Sequence, residues 1–119
     1  MTCEIIDISN NIAYVKSENL LIEDSDTALD LMATVKYETN CEKFILDKSS
    51  VKEDFFKLST GIAGEVLQKY VNYNIKLAIV GDYSKYTSKP LKDFIFESNR
   101  GKNFFFVETL EEALKKLSQ

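Results

Sequence analysis

The sequence predicts an α/β fold with the element order ββαβαβαβα, in which helices pack on a mostly parallel five-stranded sheet. Three observations support this prediction. Short and nearly uninterrupted apolar segments recur along the chain, as in strands that are buried on both faces. Longer segments between them carry apolar side chains at helical spacing. A buried strand followed by a helix and another buried strand favours a right-handed crossover, which makes the two strands parallel.

The first two strands are predicted to form a hairpin. The segments CEIIDIS (3–9) and IAYVKS (12–17) are short, and Asn10 and Asn11 lie between them. Because asparagine tolerates positive φ angles, this pair predicts a tight turn.

A first amphipathic helix is predicted over SDTALDLMATVKYET (25–39), where Ser25 or Asp26 can cap the first turn. The spacing predicts a core face of Ala28, Leu29, Met32 and Val35. The apolar run KFILD (43–47) that follows predicts a buried strand.

The segment 53–72 has a helical pattern, which Gly61 and Gly64 interrupt. We therefore expect a turn or short helix over 53–58 and the main helix from about Thr60. The core face of this helix is predicted to contain Ile62, Val66, Leu67, Tyr70 and Val71.

Two further buried strands are predicted over KLAIV (76–80) and NFFFV (103–107). The segment SKPLKDFIFESNRG between them has the start and stop signals of a helix. Ser88 suits the N-cap, Pro90 is tolerated in the first turn, and Gly101 suits the C′ position.

The segment TLEEALKKLSQ predicts a last helix, with Thr109 and Glu112 in capping-box register. Its apolar stripe is predicted to comprise Leu110, Ala113, Leu114 and Leu117. The 119 residues contain no linker, repeat or low-complexity segment, so a single domain over 1–119 is predicted.

The composition argues against several classes of function. A net charge of -4 disfavours a general nucleic-acid binder, which normally has a basic excess. Histidine is absent, which removes the commonest general base near neutral pH and the imidazole metal ligands. The sequence therefore favours a non-enzymatic protein without a catalytic residue, metal or cofactor; an enzyme that uses Asp, Glu, Lys, Tyr or Ser is the alternative.

The protein is expected to be cytoplasmic and not bound to membranes. The N-terminal MTCEIIDIS lacks the basic region and long apolar run of a signal peptide. No apolar run approaches the roughly 20 residues that span a bilayer. Cys3 and Cys41 have no metal-type spacing and are expected to be free thiols.

Candidate ligand-binding residues follow the predicted strands. Ligands of open parallel sheets bind beyond the carboxyl ends of the strands, where Asp47, Gly81 and Asp82 lie. The free N–H groups of a helix start can also bind a phosphate or carboxylate, which adds Ser59, Thr60 and Gly61. Structural roles are the alternative for all of them, since aspartates often form turns or caps and glycines often permit close packing.

Three lysines, Lys85, Lys89 and Lys92, lie around the predicted start of the helix 88–101, where the helix dipole disfavours cations. Two interpretations stay open. An anion binds to these lysines, or they form a solvated face whose charge is offset by carboxylates such as Asp93, four residues after Lys89.

The aromatic side chains of the segment 83–106 exceed what one small core face needs. If helices cover both faces of the sheet, these side chains are core; otherwise some form an exposed patch that binds a protein partner or a second copy of the chain. The open sheet edge also favours a homodimer, and Phe96 is the residue with which to test that face. The side chains concerned are Tyr83, Tyr86, Phe94, Phe96, Phe104, Phe105 and Phe106.

The element order resembles the STAS domains of anti-sigma-factor antagonists and the related SpoIIAA-like proteins. In those antagonists a buried strand is followed by a loop and a D-S-S-G-L-type segment that opens a helix. Here FILDKSSVKEDFFKL is followed by STGIA, and Leu58 stands where that family has its aspartate. The resemblance implies that Ser59, or its neighbour Thr60, is a phosphorylation site, and it matches Gly61 to the following glycine.

A closer resemblance covers nearly the whole chain. The segments TALDLM, TGIAGEVLQK, KLAIVGDYSKYTSK, DFIFESN and FFFVETLEEAL look like those of an uncharacterised bacterial family, domain of unknown function 4180. This resemblance implies no activity.

Taken together, the sequence predicts a non-enzymatic cytosolic module of STAS-like architecture that acts in regulation or protein interaction. The alternative is a domain that binds a small phosphate- or carboxylate-bearing ligand at the carboxyl ends of the parallel strands. An enzyme that uses Asp47, Asp82 or Lys85 is the third interpretation.

Overall fold

A computed structural model describes all residues from Met1 to Gln119, and its elements follow the predicted order ββαβαβαβα. The strands are β1 (Thr2–Asp7), β2 (Ile12–Lys16), β3 (Lys43–Asp47), β4 (Lys76–Val80) and β5 (Phe104–Val107). The helices are α1 (Ser25–Thr39), α2 (Ile62–Asn72), α3 (Lys89–Arg100) and α4 (Leu110–Leu117).

The five strands form one sheet in the order β1-β2-β3-β4-β5. Strands β1 and β2 are antiparallel, and all other neighbours are parallel, which confirms the predicted mostly parallel sheet. Each crossover moves the chain one position in the same direction, and α1, α2 and α3 all pack on one face of the sheet, as crossovers of one hand require. Helix α4 packs on the opposite face.

Both faces of the sheet are buried, and β5 shows this most directly. Phe104 and Phe106 belong to the larger core under α1, α2 and α3, whereas Phe105 and Val107 belong to the smaller core under α4. The interpretation that the aromatic side chains of 83–106 form an exposed patch is therefore wrong for all of them except Phe96, which is 58% exposed. The others are buried or half-buried because helices cover both faces.

Helix α1 is capped by Asp24, so the prediction of Ser25 or Asp26 as the cap is wrong. The Asp24 carboxylate accepts a hydrogen bond from the Thr27 N–H at 2.9 Å. In return, the Thr27 hydroxyl oxygen accepts one from the Asp24 N–H at 3.0 Å. This reciprocal capping box satisfies two donors at once and begins the helix at Ser25, the residue after the cap.

The buried faces of α1 and α2 differ in part from the predicted ones. Leu31 is buried in α1, whereas Leu29 and Met32 are only half-buried. In α2, Ala63 is buried and Val71 is exposed. Helical spacing is compatible with two neighbouring rows of apolar side chains, and packing against the sheet decides which row is buried.

Helix α2 begins at Ile62, two residues later than the predicted start at Thr60. Two short 3₁₀ turns, Glu53–Phe56 and Leu58–Thr60, precede it. Gly61 then takes a left-handed conformation with φ of 78°, which interrupts the helical path and which glycine adopts without steric cost.

The other local signals are confirmed, except for the C′ position of Gly101 and the predicted capping box of α4, in which only the Thr109 side chain accepts a hydrogen bond, from the Glu112 N–H. Asn11 has a φ of 59° in the turn between β1 and β2. Ser88 and Thr109 cap α3 and α4, and Pro90 lies in the first turn of α3. Gly101 directly follows α3 as the C-cap, with an extended backbone rather than the left-handed one typical of a C′ glycine.

Both cysteines are free thiols, as predicted. Cys41 is buried between α1 and β3, and its Sγ lies 3.3 Å from Oδ1 of Asn11 in the β1–β2 turn. None of the helices has the length and apolar character needed to cross a membrane.

Replacing Asp24 by alanine should lower the free energy of unfolding by about 0.5–2 kcal/mol, because the helix loses its side-chain cap. Ser25→Ala, at the predicted but unused cap position, should change it by less than about 0.5 kcal/mol. Urea titrations followed by circular dichroism measure both. Equal losses for the two variants would contradict the observed cap.

Candidate functional site

The loops after β3 and β4 lie side by side, since Asp47 and Val80 are paired in register at the ends of these strands. The sequence-predicted Asp47, Gly81 and Asp82 are therefore neighbours. The strand order is sequential and has no point of reversal, which is where open α/β sheets usually form a ligand crevice. Side chains from these loops fill the carboxyl edge of the sheet instead.

Lys48 lies across Gly81 at the centre of this edge. A Cβ atom added to Gly81 would come within 2.5 Å of Lys48 Cβ and 2.9 Å of Lys48 Cδ. The glycine therefore leaves room for the lysine stem, a close-packing role. The Lys48 side chain is only 17% exposed.

The Lys48 ammonium group points at two aromatic rings and a carboxylate. Its Nζ lies 4.9 Å from the ring centroids of both Phe56 and Tyr86, which stack on each other at 5.2 Å. It also lies 3.5 Å from Glu53 Oε1. Cation–π attraction and the carboxylate together compensate a lysine that is largely removed from water.

Glu53 joins the loop after β3 to the loop after β4. Its Oε2 accepts a hydrogen bond from the Tyr86 hydroxyl at 2.6 Å, and its Oε1 lies 3.1 Å from Lys85 Nζ. Burial raises the pKa of the Glu53 carboxyl, but the hydrogen bonds from Tyr86 and Lys85 outweigh it, and the net pKa lies below the ordinary value. We call this group the carboxyl-edge cluster; it comprises Lys48, Glu53, Phe56, Lys85 and Tyr86.

Carboxylates offset two of the three lysines that raised the question of an anion site. Lys85 pairs with Glu53, and Lys89 pairs with Asp93 at 2.7 Å, as the sequence spacing predicted. Lys92 takes part in none of the protein's ion pairs. These contacts favour the interpretation of a partly neutralised, solvated face.

Asp47 and Asp82 both have structural partners. Asp47 accepts a hydrogen bond from the Tyr14 hydroxyl at 2.6 Å. Burial, followed by this bond, raises the pKa of Tyr14 to about 12. Asp82 accepts a hydrogen bond from the Ser84 N–H at 2.9 Å, and this turn holds the pKa of Asp82 below its ordinary value.

A groove lies between the 3₁₀ segment 53–60 and the start of α3. We call it the Ser59 groove; it has a volume of about 510 Å³. It brings Ser59 and Lys85 together, whereas the other sequence-predicted site residues lie outside it. Its lining comprises Glu53, Phe56, Lys57, Leu58, Ser59, Lys85, Tyr86, Thr87, Ser88, Pro90 and Leu91.

Ser59 and Thr60 have different environments, and only the Thr60 hydroxyl contacts the start of α2, where its oxygen accepts a hydrogen bond from the Ile62 N–H at 3.3 Å. Ser59 is exposed in the groove. The Thr60 hydroxyl lies 2.8 Å from the Lys57 carbonyl oxygen and 2.9 Å from that of Asp54, so it ties the two 3₁₀ turns together. Gly61, the actual N-cap of α2, lies just after them.

Sequence reasoning missed Lys48, Glu53 and Phe56. No local pattern marks them. Lys48 and Glu53 are five residues apart but do not share a helix, and the contact of Glu53 with Tyr86 spans 33 residues. The only signal was a lysine directly after a buried strand. Nowhere in the structure do three or more His, Cys, Asp or Glu side chains come together as a metal site would require.

A model of the family described as domain of unknown function (DUF4180) matches residues 8–117. Neither a curated protein nor a solved structure matches the chain.

Replacing Gly81 by alanine should lower the free energy of unfolding by about 1–3 kcal/mol, because the new methyl group overlaps the Lys48 stem. Gly64→Ala is the matched control. It lies in α2 with no atom within 4 Å of the added Cβ, and should stabilise the protein by about 0.5–1 kcal/mol. Denaturant titration compares the two, and a neutral Gly81→Ala would contradict the packing described.

Stability conferred by Glu53 should depend on pH. Because its folded-state pKa lies below the value of about 4.3 expected in the unfolded chain, this stability is present above that pH and is lost as the pH falls through the lowered pKa. The difference in unfolding free energy between the parent and Glu53→Gln should therefore shrink as the pH falls below the unfolded-state pKa and through the lowered pKa of the folded state. A difference that stays constant over this range would contradict the assignment.

Proposed function

The chain belongs to the DUF4180 family, and we propose that it is a non-enzymatic, cytoplasmic regulatory module of STAS-like architecture that binds an acidic segment of a partner protein. The Ser59 groove is the proposed binding surface. The observation that carries the proposal is an open groove with an apolar floor and an uncompensated lysine at its rim.

The shape and chemistry of the groove favour a polypeptide segment. Apolar surface comes from Phe56, Leu58, Pro90 and Leu91, and hydroxyl groups lie beside it. An open groove of this kind suits an extended segment that buries a few apolar side chains and keeps its backbone in reach of polar groups.

Charge favours an acidic segment. Lys57 is exposed and takes part in none of the protein's ion pairs. Lys85 pairs with Glu53 but stays 60% exposed, which leaves N–H donors directed to solvent. Glu53 is the only carboxylate of the lining, and it already forms ion pairs with Lys48 and Lys85 and accepts a hydrogen bond from Tyr86. A carboxylate-rich partner therefore meets lysines on this surface with little opposing charge.

Phosphorylation of Ser59 would regulate this contact. A phosphate adds a charge of about -1.5 to -2, beside Lys57 and Lys85, and would compete with the acidic segment for them. Thr60 is the less suitable acceptor because its hydroxyl is occupied by two carbonyl oxygens. The resemblance to the antagonist serine supports the same residue.

We propose no enzymatic role, because each of the candidate catalytic groups has a structural partner. Asp47, Asp82 and Lys85 each have a structural partner, namely Tyr14, Ser84 and Glu53. A second copy of the chain is a weaker candidate partner, since of the aromatic surplus only Phe96 is exposed.

Selection of a random displayed peptide library on the protein should enrich acidic peptides that contain apolar residues. Lys57→Glu should weaken the selected peptides at least about tenfold, because one attraction becomes a repulsion. Lys69→Glu, an exposed charge reversal on α2, is the matched control and should leave affinity within about twofold. Enrichment of neutral or basic peptides, or equal losses in both variants, would contradict the proposal.

Alanine substitutions at Ser59 and Thr60 should have different effects on the free energy of unfolding. Ser59→Ala should leave the unfolding free energy unchanged within about 0.5 kcal/mol, whereas Thr60→Ala should lower it by about 0.5–1.5 kcal/mol. Intact-mass analysis of protein from its native cell should place phosphate on Ser59. A phosphate that maps to Thr60, or an unmodified protein under all growth conditions, would contradict the regulatory part of the proposal.

A further inference from the structure

A second cavity lies at the opposite end of the sheet from the Ser59 groove, and three lysines line it. Lys76 begins β4, Lys102 lies in the loop between α3 and β5, and Lys116 lies in the last turn of α4. We call this cavity the lysine pocket; it has a volume of about 270 Å³. Its remaining lining comes from Gly101, Phe105 and Gln119.

The lysine pocket has no acidic side chain in its lining. None of the three lysines takes part in an ion pair, although the protein has 19 acidic and 15 basic residues. This distinguishes them from Lys85 and Lys89, whose charges are offset by Glu53 and Asp93. The lining therefore has three positively charged side chains and no negatively charged one, which favours an anion as its ligand.

The dipole of α4 explains the position of only one of the three lysines. Lys116 lies at the negative end of the α4 dipole, and its Nζ donates a hydrogen bond to the Asn99 carbonyl at 3.2 Å. An ammonium group has three donors, so two stay available. Lys76 and Lys102 come from other elements, and neither forms a side-chain hydrogen bond within the protein. The dipole of α4 therefore does not explain why Lys76 and Lys102 also line the pocket.

We propose that the lysine pocket binds a small, water-soluble phosphate-bearing anion. Three ammonium groups match the charge and the acceptor oxygens of a phosphate dianion. The volume exceeds that of a phosphate group alone and lies near the lower end for small-molecule sites, which fits inorganic pyrophosphate or a small phosphate ester. This site is separate from the Ser59 groove and does not depend on the function proposed for it.

The test measures melting temperature and isothermal titration with inorganic phosphate and pyrophosphate, against chloride at equal ionic strength. Both anions should raise the melting temperature more than chloride does. Lys76→Gln with Lys102→Gln should weaken pyrophosphate binding at least tenfold, and Lys102→Gln alone should weaken it measurably if the double variant is too unstable to study. The matched control, Lys85→Gln with Lys92→Gln, should bind pyrophosphate like the parent.

Two results with free anions would overturn the proposal. One is a phosphate effect that is lost in the Lys85 and Lys92 variant and kept in the Lys76 and Lys102 variant, which would place the anion at the carboxyl edge. The other is an equal response to phosphate and chloride in the parent. Vesicles that contain phosphatidic acid form a further arm, and binding to these vesicles without binding to free pyrophosphate would equally overturn it.

Discussion

The contact of Glu53 with Tyr86 and two lysines fixes the relative position of the loops after β3 and β4. One wall of the Ser59 groove is the segment around Glu53, and the other follows Tyr86 into α3. The Lys48 stem, lying across Gly81, fills the space between these loops and the sheet. The groove therefore depends on a carboxylate that stays ionised and on a glycine that leaves room for a lysine.

Local interactions explain which parts of the fold could be predicted from the sequence. Buried strands, the turn at Asn11 and the caps Ser88 and Thr109 depend on residues within a few positions, and all were predicted. The α1 cap was missed because several acceptors stand next to one another, and the reciprocal bond with Thr27 selects Asp24. The start of α2 was missed because only the fold shows that Gly61 is left-handed.

The candidate site was predictable only in part, because its electrostatics depends on pairs that are distant in sequence. Lys89 and Asp93 are four residues apart, and their contact was predicted. The partner of Lys85 is Glu53, 32 residues away, and no spacing rule identifies it. The same holds for Lys76, Lys102 and Lys116, which three different elements bring to one pocket. The sequence showed that lysines are frequent near helix α3, but only the fold separates neutralised lysines from uncompensated ones.

A double-mutant cycle with Glu53→Gln and Tyr86→Phe tests the central claim that this contact joins the two walls of the Ser59 groove. The free energies of unfolding of the parent, the two single variants and the double variant give the coupling energy directly. We predict a coupling of about 1–3 kcal/mol at neutral pH, because the hydrogen bond to the carboxylate is charge-assisted. Additive effects, with a coupling below about 0.3 kcal/mol, would contradict it.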